Sequence, residues 1–183
     1  MSSGRTHEAY LSYLKKNREE EGPRATAFGT PARGRMAGQC SRRIGFEVLD
    51  VEETDPITDT TLLAFHIGTA LHDMLQASMQ AEWQMQLEYP VDLRPLGWEI
   101  SGHADGVYAD EDGMTVVWEL KSKTGYGFKL ARNSGHPEKH EIAQVAMYSL
   151  GIPFATQIHL VYVAKESSYG CLLYTSPSPR DRG

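Results

Sequence analysis

Along residues 61–164 the spacing of apolar side chains changes period three times, and that succession restricts the fold more than any other property of the chain. Over residues 61–83, Leu63, Ile67, Ala70, Leu71, Met74, Leu75 and Met79 recur at intervals of three and four, which predicts one long amphipathic helix carrying Gly68 and His72. Residues 98–108 and 115–121 then alternate with period two. The polar, turn-forming link Ala109-Asp110-Glu111-Asp112-Gly113 joins them, so they are expected to pair as antiparallel neighbours. Residues 122–135 read as a Gly-rich loop. Residues 138–150 return to helical spacing ahead of Gly151 and Pro153, and residues 157–164, with Ile158, Leu160, Val161 and Val163, read as a buried strand. Helix, strands, helix and strand without an internal repeat imply an α/β fold, a mixed β-sheet flanked by helices.

Ahead of this core, residues 7–21 read as a short polar helix, residues 41–49 as a second, and residues 50–59, acidic and containing Pro56, as a connector. Residues 1–60 are thus expected to form a helical, arginine-rich N-terminal region and residues 61–170 the core. The chain has 183 residues, 40% of them apolar and 23% charged, enough for one domain with a hydrophobic core. It has no apolar run long enough to span a bilayer, and its first residues lack the apolar centre of a secretion signal, so no membrane partner and a cytoplasmic location are expected. A net charge of −6 gives no general attraction for phosphates, and any nucleic-acid contact must come from local basic clusters. Between residues 22 and 46 lie Arg24, Arg33, Arg35, Arg42 and Arg43 and no acid, which fits either a positively edged arm or a solvated linker.

The far end of the chain reads differently. Residues 171–181 are CLLYTSPSPRD, which resembles the translation of a transposase adapter used to prepare DNA sequencing libraries. Residues 171–183 are therefore expected to be non-native, with the natural C-terminus missing, which leaves Cys40 as the one native cysteine. A single thiol makes no internal disulfide and suits a reducing compartment.

The chemistry concentrates in a few polar residues of the core. In the strand ending Trp118-Glu119-Leu120-Lys121, alternation puts Val117, Glu119 and Lys121 on one face and Val116, Trp118 and Leu120 on the other. Trp118 and Leu120 are expected to anchor the core while Glu119 and Lys121 project together; alone, that pair fits a surface ion pair equally well. Asp105, one strand earlier, comes beside Glu119 if the two strands are neighbours. Two converging carboxylates repel, and a hard divalent cation with oxygen ligands, Mg²⁺ or Mn²⁺, relieves that repulsion. His72 shares a helical face with Gly68, and Gln144 shares one with Tyr148.

Taken in order, Gly68-x3-His72, Gly102-x2-Asp105, Glu119-x-Lys121 and Gln144-x3-Tyr148 resemble the PD-(D/E)XK nuclease superfamily, specifically its RecB-like branch of phage exonucleases and CRISPR-adaptation exonucleases. The resemblance runs from about Gln39 to Lys165 and implies a restriction-endonuclease-like core and a metal-dependent DNA exonuclease, serving phage or prokaryotic DNA processing alongside recombination or replication partner proteins. It implies that His72, Asp105, Glu119 and the Leu120 carbonyl hold Mg²⁺ or Mn²⁺, that Lys121 positions the attacking water and offsets transition-state charge, and that Gln144 and Tyr148 orient the site and the DNA backbone. His103, on the same face as Asp105 if the strand is regular, fits either a place at the site or a structural role. Many relatives place a Cys-Pro-Arg-Arg where this chain has Cys40-Ser41-Arg42-Arg43, and use that cysteine with three others near the C-terminus to hold an iron-sulfur cluster. Here Cys40 is a cluster ligand only if the missing C-terminus supplies the rest. Lys123, Lys129, Arg132 and Lys139 cluster after Glu119-x-Lys121 and, with Arg42 and Arg43, are candidates to grip phosphates, each fitting a solvated loop as well; Tyr126 and Phe128 in the same segment fit either stacking on bases or packing. Two rivals remain: a non-catalytic DNA-binding or assembly subunit that keeps the nuclease fold, and a sequence-specific restriction endonuclease on the same fold.

Overall fold

The structure is a computed structural model that describes residues 58–165 and 171–177, together with residues 12–13, 32–33, 42, 45–46, 49 and 51–52. Of the two expected N-terminal helices only residues 12–13, 42, 45–46 and 49 are described, all helical except Leu49, which lies in a turn; the rest of them, most of the arginine-rich stretch, Cys40 and Arg43 lie outside the described residues.

The long helix forms as the spacing predicts. Helix α1, Asp59–Trp83, is capped by Thr58, whose hydroxyl accepts the Thr61 N–H, and it ends at Gln84 in the left-handed region. Its buried stripe is narrower than the apolar pattern suggested. Leu75 and Met79 pack on the sheet, but Ile67 and Met74 are exposed, and the buried positions are Leu62, Gly68 and Gln76. The helix comes down closely at Gly68, where a Cβ would stand 3.0 Å from Ser122 Oγ, and this close approach selects which face is covered.

Among the described residues the sheet has six strands: β1 Ala32–Arg33, β2 Gln86–Asp92, β3 Ile100–Ala109, β4 Thr115–Lys123, β5 Gln157–Ala164 and β6 Cys171–Pro177. The order is β1-β3-β4-β5-β6, with β2 pairing β3; β3 and β4 are antiparallel, as expected, and β4 and β5 are parallel. A mixed sheet flanked by helices is the fold. Two elements differ from the sequence reading. Strand β2 was not expected, because Pro90 interrupts its alternation of Leu87, Tyr89 and Val91. Residues expected as a loop form helix α2, Gly125–Ser134, capped by the Thr124 hydroxyl on the Gly127 N–H and stopped by Gly135 at φ 69°. Its Phe128 is buried in the core rather than offered to bases, so a capped turn with one apolar anchor overcomes two glycines. Helix α3, Lys139–Gly151, carries a capping box between Glu138 and Glu141.

Both faces of the sheet are covered. Met85, Tyr108, Val116, Trp118, Leu120 and Val161 meet α1, while Val107, Val117, Tyr148 and Ile152 on one side and Phe128, Val145, Leu160 and Tyr162 on the other fill the space under α2 and α3. Alternation along β4 and β5 is regular, but β2 and β3 break it at one level. Leu87 packs with the α1 cluster and Tyr89 with the α3 cluster; Ala104 packs under α3, whereas Tyr108, an even number of residues on, packs under α1. The pairings Leu87↔Gly106 and Tyr89↔Ala104 bracket that level, so Glu88 stands opposite Asp105 where the pleat fails. The β3–β4 register also ends there, at Gly106↔Trp118. The candidate site residues of α1, β3 and β4 collect at this opening.

Candidate active site

Where β3 and β4 part, Asp105 replaces the missing ladder bond with its side chain: Oδ2 accepts the Leu120 N–H at 2.7 Å. Its carboxylate also lies 3.5 Å from His72 Nδ1, delivered by α1 one turn beyond Gly68. Glu119, one residue before Leu120, points to the α3 side and is buried, 3% exposed. Its Oε1 accepts from Lys121 Nζ at 2.6 Å, while Oε2 is buried with no hydrogen-bond partner among the described residues. Lys121 Nζ donates in turn to Gln144 Oε1 at 2.9 Å, and Gln144 Nε2 donates to the Tyr148 hydroxyl at 2.8 Å. The six residues singled out in the sequence are thus brought into one connected array. The Glu119–Lys121 pair is no surface ion pair, because α3 covers that face of the sheet.

Burial dominates the electrostatics. It pushes Asp105 up to about 6 against the Leu120 N–H bond and the Lys121 charge, and it pushes Glu119 up to about 7, with the neighbouring Asp105 charge adding to the effect. His72 is held below the ordinary histidine value, first by burial. An anionic pair that resists ionisation, with one orphaned oxygen and a neutral imidazole beside it, is short of positive charge.

That shortage tests whether a hard divalent cation suits these residues. Two carboxylates, an imidazole favoured neutral and an unpartnered buried oxygen are the donor types such an ion takes, and they fit. Among the described residues, however, no three His, Cys, Asp or Glu side chains already converge as a metal cluster. Glu119 Oε1 is turned to Lys121 and Asp105 Oδ2 to Leu120, so binding requires these oxygens to share or exchange partners.

Other candidates fall elsewhere. Gln144 and Tyr148 are buried, 6% and 3% exposed, with Gln144 bonded to Lys121 and Tyr148 to Gln144. Lys123 is drawn to Glu138 at 3.0 Å and Glu141 at 2.6 Å and lies 5.0 Å from the Tyr162 ring centre, so it is no ready phosphate contact. Lys129, Arg132, Lys139 and Tyr126 are exposed on or beside α2 and at the start of α3. Arg42 lies 5.3 Å from the centre of the Phe46 ring. His103 is exposed, opposite Pro90 on the ladder. A hollow of about 540 Å³ between Trp83, Tyr108, Trp118 and His159 is on the α1 side of the sheet and contains none of the array. Two residues near the site escaped the sequence reading. Gln76, one turn beyond His72, donates to the Asp105 carbonyl at 2.9 Å and to Glu88 Oε1 at 3.0 Å. The interval from His72 to Gln76 was visible; Glu88 gave no signal, because its strand went unseen.

The fold has known counterparts. The chain is similar to the crystal structure of SSO0001, at 20% identity and a TM-score of 0.59 over 93% of this chain and 77% of that one. It is also similar to LHK-Exo in complex with dAMP, at 15% identity and a TM-score of 0.60, and to the alkaline exonuclease LHK-Exo from Laribacter hongkongensis, at 13% identity and a TM-score of 0.60, each over 90% of this chain and 84% of that one. No protein-family model and no curated protein matches the sequence. Among the described residues no helix is long and apolar enough to cross a membrane. At these identities the likenesses establish one thing: the chain shares the α/β fold of these structures.

Proposed function

We propose that the chain is a metal-dependent deoxyribonuclease, acting as an exonuclease on linear DNA in phage or prokaryotic DNA processing. The observation that carries the reading is the buried Glu119 whose Oε2 has no partner, set beside Asp105 and a lysine held in place from α3. The names of two counterparts, an exonuclease and its complex with dAMP, favour attack at DNA ends and release of nucleotides.

His72, Asp105 and Glu119, with the Leu120 carbonyl, would hold Mg²⁺ or Mn²⁺. When bound, the ion would polarise the scissile phosphate and lower the pKa of a water. The chain's own residues do the rest. Lys121 keeps a fixed positive charge between Glu119 and Gln144, where it can orient a water and offset charge gathering on the phosphate oxygens. Tyr148 holds the Gln144 amide so that its oxygen, not its nitrogen, faces Lys121. Asp105 ties the middle of β3 to Leu120, where the ladder between β3 and β4 stops, and keeps the two carboxylates at a common level. Lys129 and Arg132 are the proposed phosphate contacts beside the site, with Arg42 and Arg43 supplying others. An iron-sulfur cluster at Cys40 would require cysteines from outside this chain.

The test is nucleotide release from linear DNA by the full chain with Mg²⁺ or Mn²⁺, compared with closed circular DNA, a chelator and Lys121→Ala. Release from linear DNA alone, abolished in both controls, is expected. Cutting of closed circles would replace exonuclease with endonuclease; a folded, metal-binding protein inert on every DNA would mean that a further C-terminal segment is essential, and one that neither binds metal nor cuts any DNA would favour the non-catalytic subunit.

A further inference from the structure

Glu88 carries a backbone conformation that a strand residue with a side chain rarely adopts. Its φ is 47°, in the left-handed region, in the middle of β2. Strain of this kind persists only where surrounding contacts hold it. Here the contact is Gln76, a buried amide, 7% exposed, whose Nε2 reaches Glu88 Oε1 at 3.0 Å and the Asp105 carbonyl at 2.9 Å. One amide nitrogen therefore ties α1 to both strands at the level where their alternation breaks.

The consequence is geometric. A regular β2 would carry Leu87 and Tyr89 on one face; the left-handed turn at Glu88 sends them to opposite faces and leaves Glu88 across from Asp105. Glu88 is close enough for its charge to act on both His72 and Asp105. Helix α1 thus brings His72 to the Asp105 side chain and, one turn later, Gln76 to the Asp105 main chain and to Glu88. An acid held across from Asp105 by a buried amide, at the expense of backbone strain, has no evident use in the protein without a cation.

We propose that Glu88 is a third carboxylate of the divalent-cation site, and that Gln76 is the positioning residue that holds Glu88 and Asp105 at one level. The proposal rests on the metal-dependent reading above. Glu88 is exposed, whereas Asp105 is half-buried and Glu119 buried, so it makes the site more anionic from its solvent side and raises affinity for a divalent ion.

The test separates cation binding from folding and from cleavage. Mn²⁺ affinity of the full chain is measured by calorimetry for the wild type, Glu88→Gln, Glu88→Gly and Gln76→Met, with the melting temperature of each recorded in chelator. Glu88→Gln and Gln76→Met are expected to weaken Mn²⁺ binding by roughly tenfold or more. Glu88→Gly is expected to melt higher than wild type without metal, since glycine takes a positive φ freely, and yet to bind Mn²⁺ as weakly as Glu88→Gln. Mn²⁺ affinities of Glu88→Gln and Glu88→Gly within about twofold of wild type would overturn the proposal while leaving the metal-dependent reading intact. A wild-type chain that takes up no Mn²⁺ would overturn both.

Discussion

Two buried glutamates face lysines of the same strand, yet they behave in opposite ways. Glu119 and Glu141 are 3% and 2% exposed, and their partners Lys121 and Lys123 lie two residues apart on β4, both directed toward α3. Burial pushes Glu141 upward too, but hydrogen bonds from Lys123 and the Tyr162 hydroxyl outweigh it, and its carboxyl ends below the ordinary value. Glu119 has a single donor on one oxygen, none on the other, and Asp105 nearby, and it ends well above. What separates the two ion pairs here is the completeness of their hydrogen bonding rather than their depth. The Glu141 cluster is closed and fastens β4, β5 and α3; the Glu119 cluster is left one charge short.

If that distinction is right, the two lysines should fail differently. Lys121→Ala should lower nucleotide release by about 10²- to 10³-fold, because it removes a fixed charge at the reacting phosphate. It should barely move the melting temperature, since Glu119 can protonate in place of its partner. Lys123→Met should do the reverse. It leaves Glu141 buried beside Tyr162 without its cation, which typically costs about 3 kcal/mol, while activity of the folded fraction stays near wild type. Chemical denaturation and nucleotide release on both variants check the pair. Equal stability losses would mean that both clusters are structural.

The same contrast explains what could be read from the sequence. Alternation in β4 was legible, and with it the placing of Trp118 and Leu120 in the core and of Glu119 and Lys121 together. His72 and the Gln144–Tyr148 interval followed from helical spacing. Lys123 read as a phosphate contact because its partners lie on α3, 15 and 18 residues further along the chain, and no local pattern predicts that they pair. Helix α2 was hidden by Gly125 and Gly127, although Thr124 as cap and Gly135 as stop were on view. Strand β2 was hidden by Pro90, and with it went Glu88 and the reason for Gln76. Local propensity and period carried regular elements; what they could not carry is the broken pleat, which exists only once three elements meet.

The glutamates should also leave opposite marks on the dependence of stability on pH. Asp105 and Glu119 sit above their ordinary values in the folded chain, at about 6 and about 7. Between an unfolded value near 4 and those values the folded state holds more protons, so this contribution is full at low pH and is lost as pH rises toward about 7. Glu141 sits below its ordinary value, so its contribution is present above the unfolded value and is lost as pH falls. His72 and His159, both lowered, act in the same sense as Glu141 around their ordinary value of 6.5 and must be subtracted. Glu119→Gln does this: relative to wild type without metal, it should gain stability at pH 8 over pH 5 by about 1–2 kcal/mol, on the scale of 1.4 kcal/mol per unit. An unchanged difference between the two pH values would mean that Glu119 ionises normally.

Strand β6 offers the gentlest probe of the contrast, because it leans on one cluster only. It pairs with β5 from Cys171 to Pro177, Leu172 and Tyr174 pack against the apolar cluster that includes Tyr162, and the Tyr174 hydroxyl donates to the Ala131 carbonyl of α2. The Tyr162 and Tyr174 rings meet edge to face at 5.4 Å, on the Glu141 side of the molecule. An alternating segment beside an open sheet edge pairs with it whatever its origin, so this pairing is compatible with the adapter-like reading of residues 171–181. Ending the chain at Gly170 should therefore cost only about 1 kcal/mol, the worth of one or two edge cross-strand pairs. That loss should appear as faster hydrogen exchange in β5 and α2, while Mn²⁺ binding and nucleotide release stay unchanged, since no residue of the His72, Asp105, Glu119 and Lys121 array touches β6 through the bonds that define the site. Loss of metal binding in the shortened chain would show instead that the two clusters are coupled through β4, and that the closed one is what keeps the open one in place.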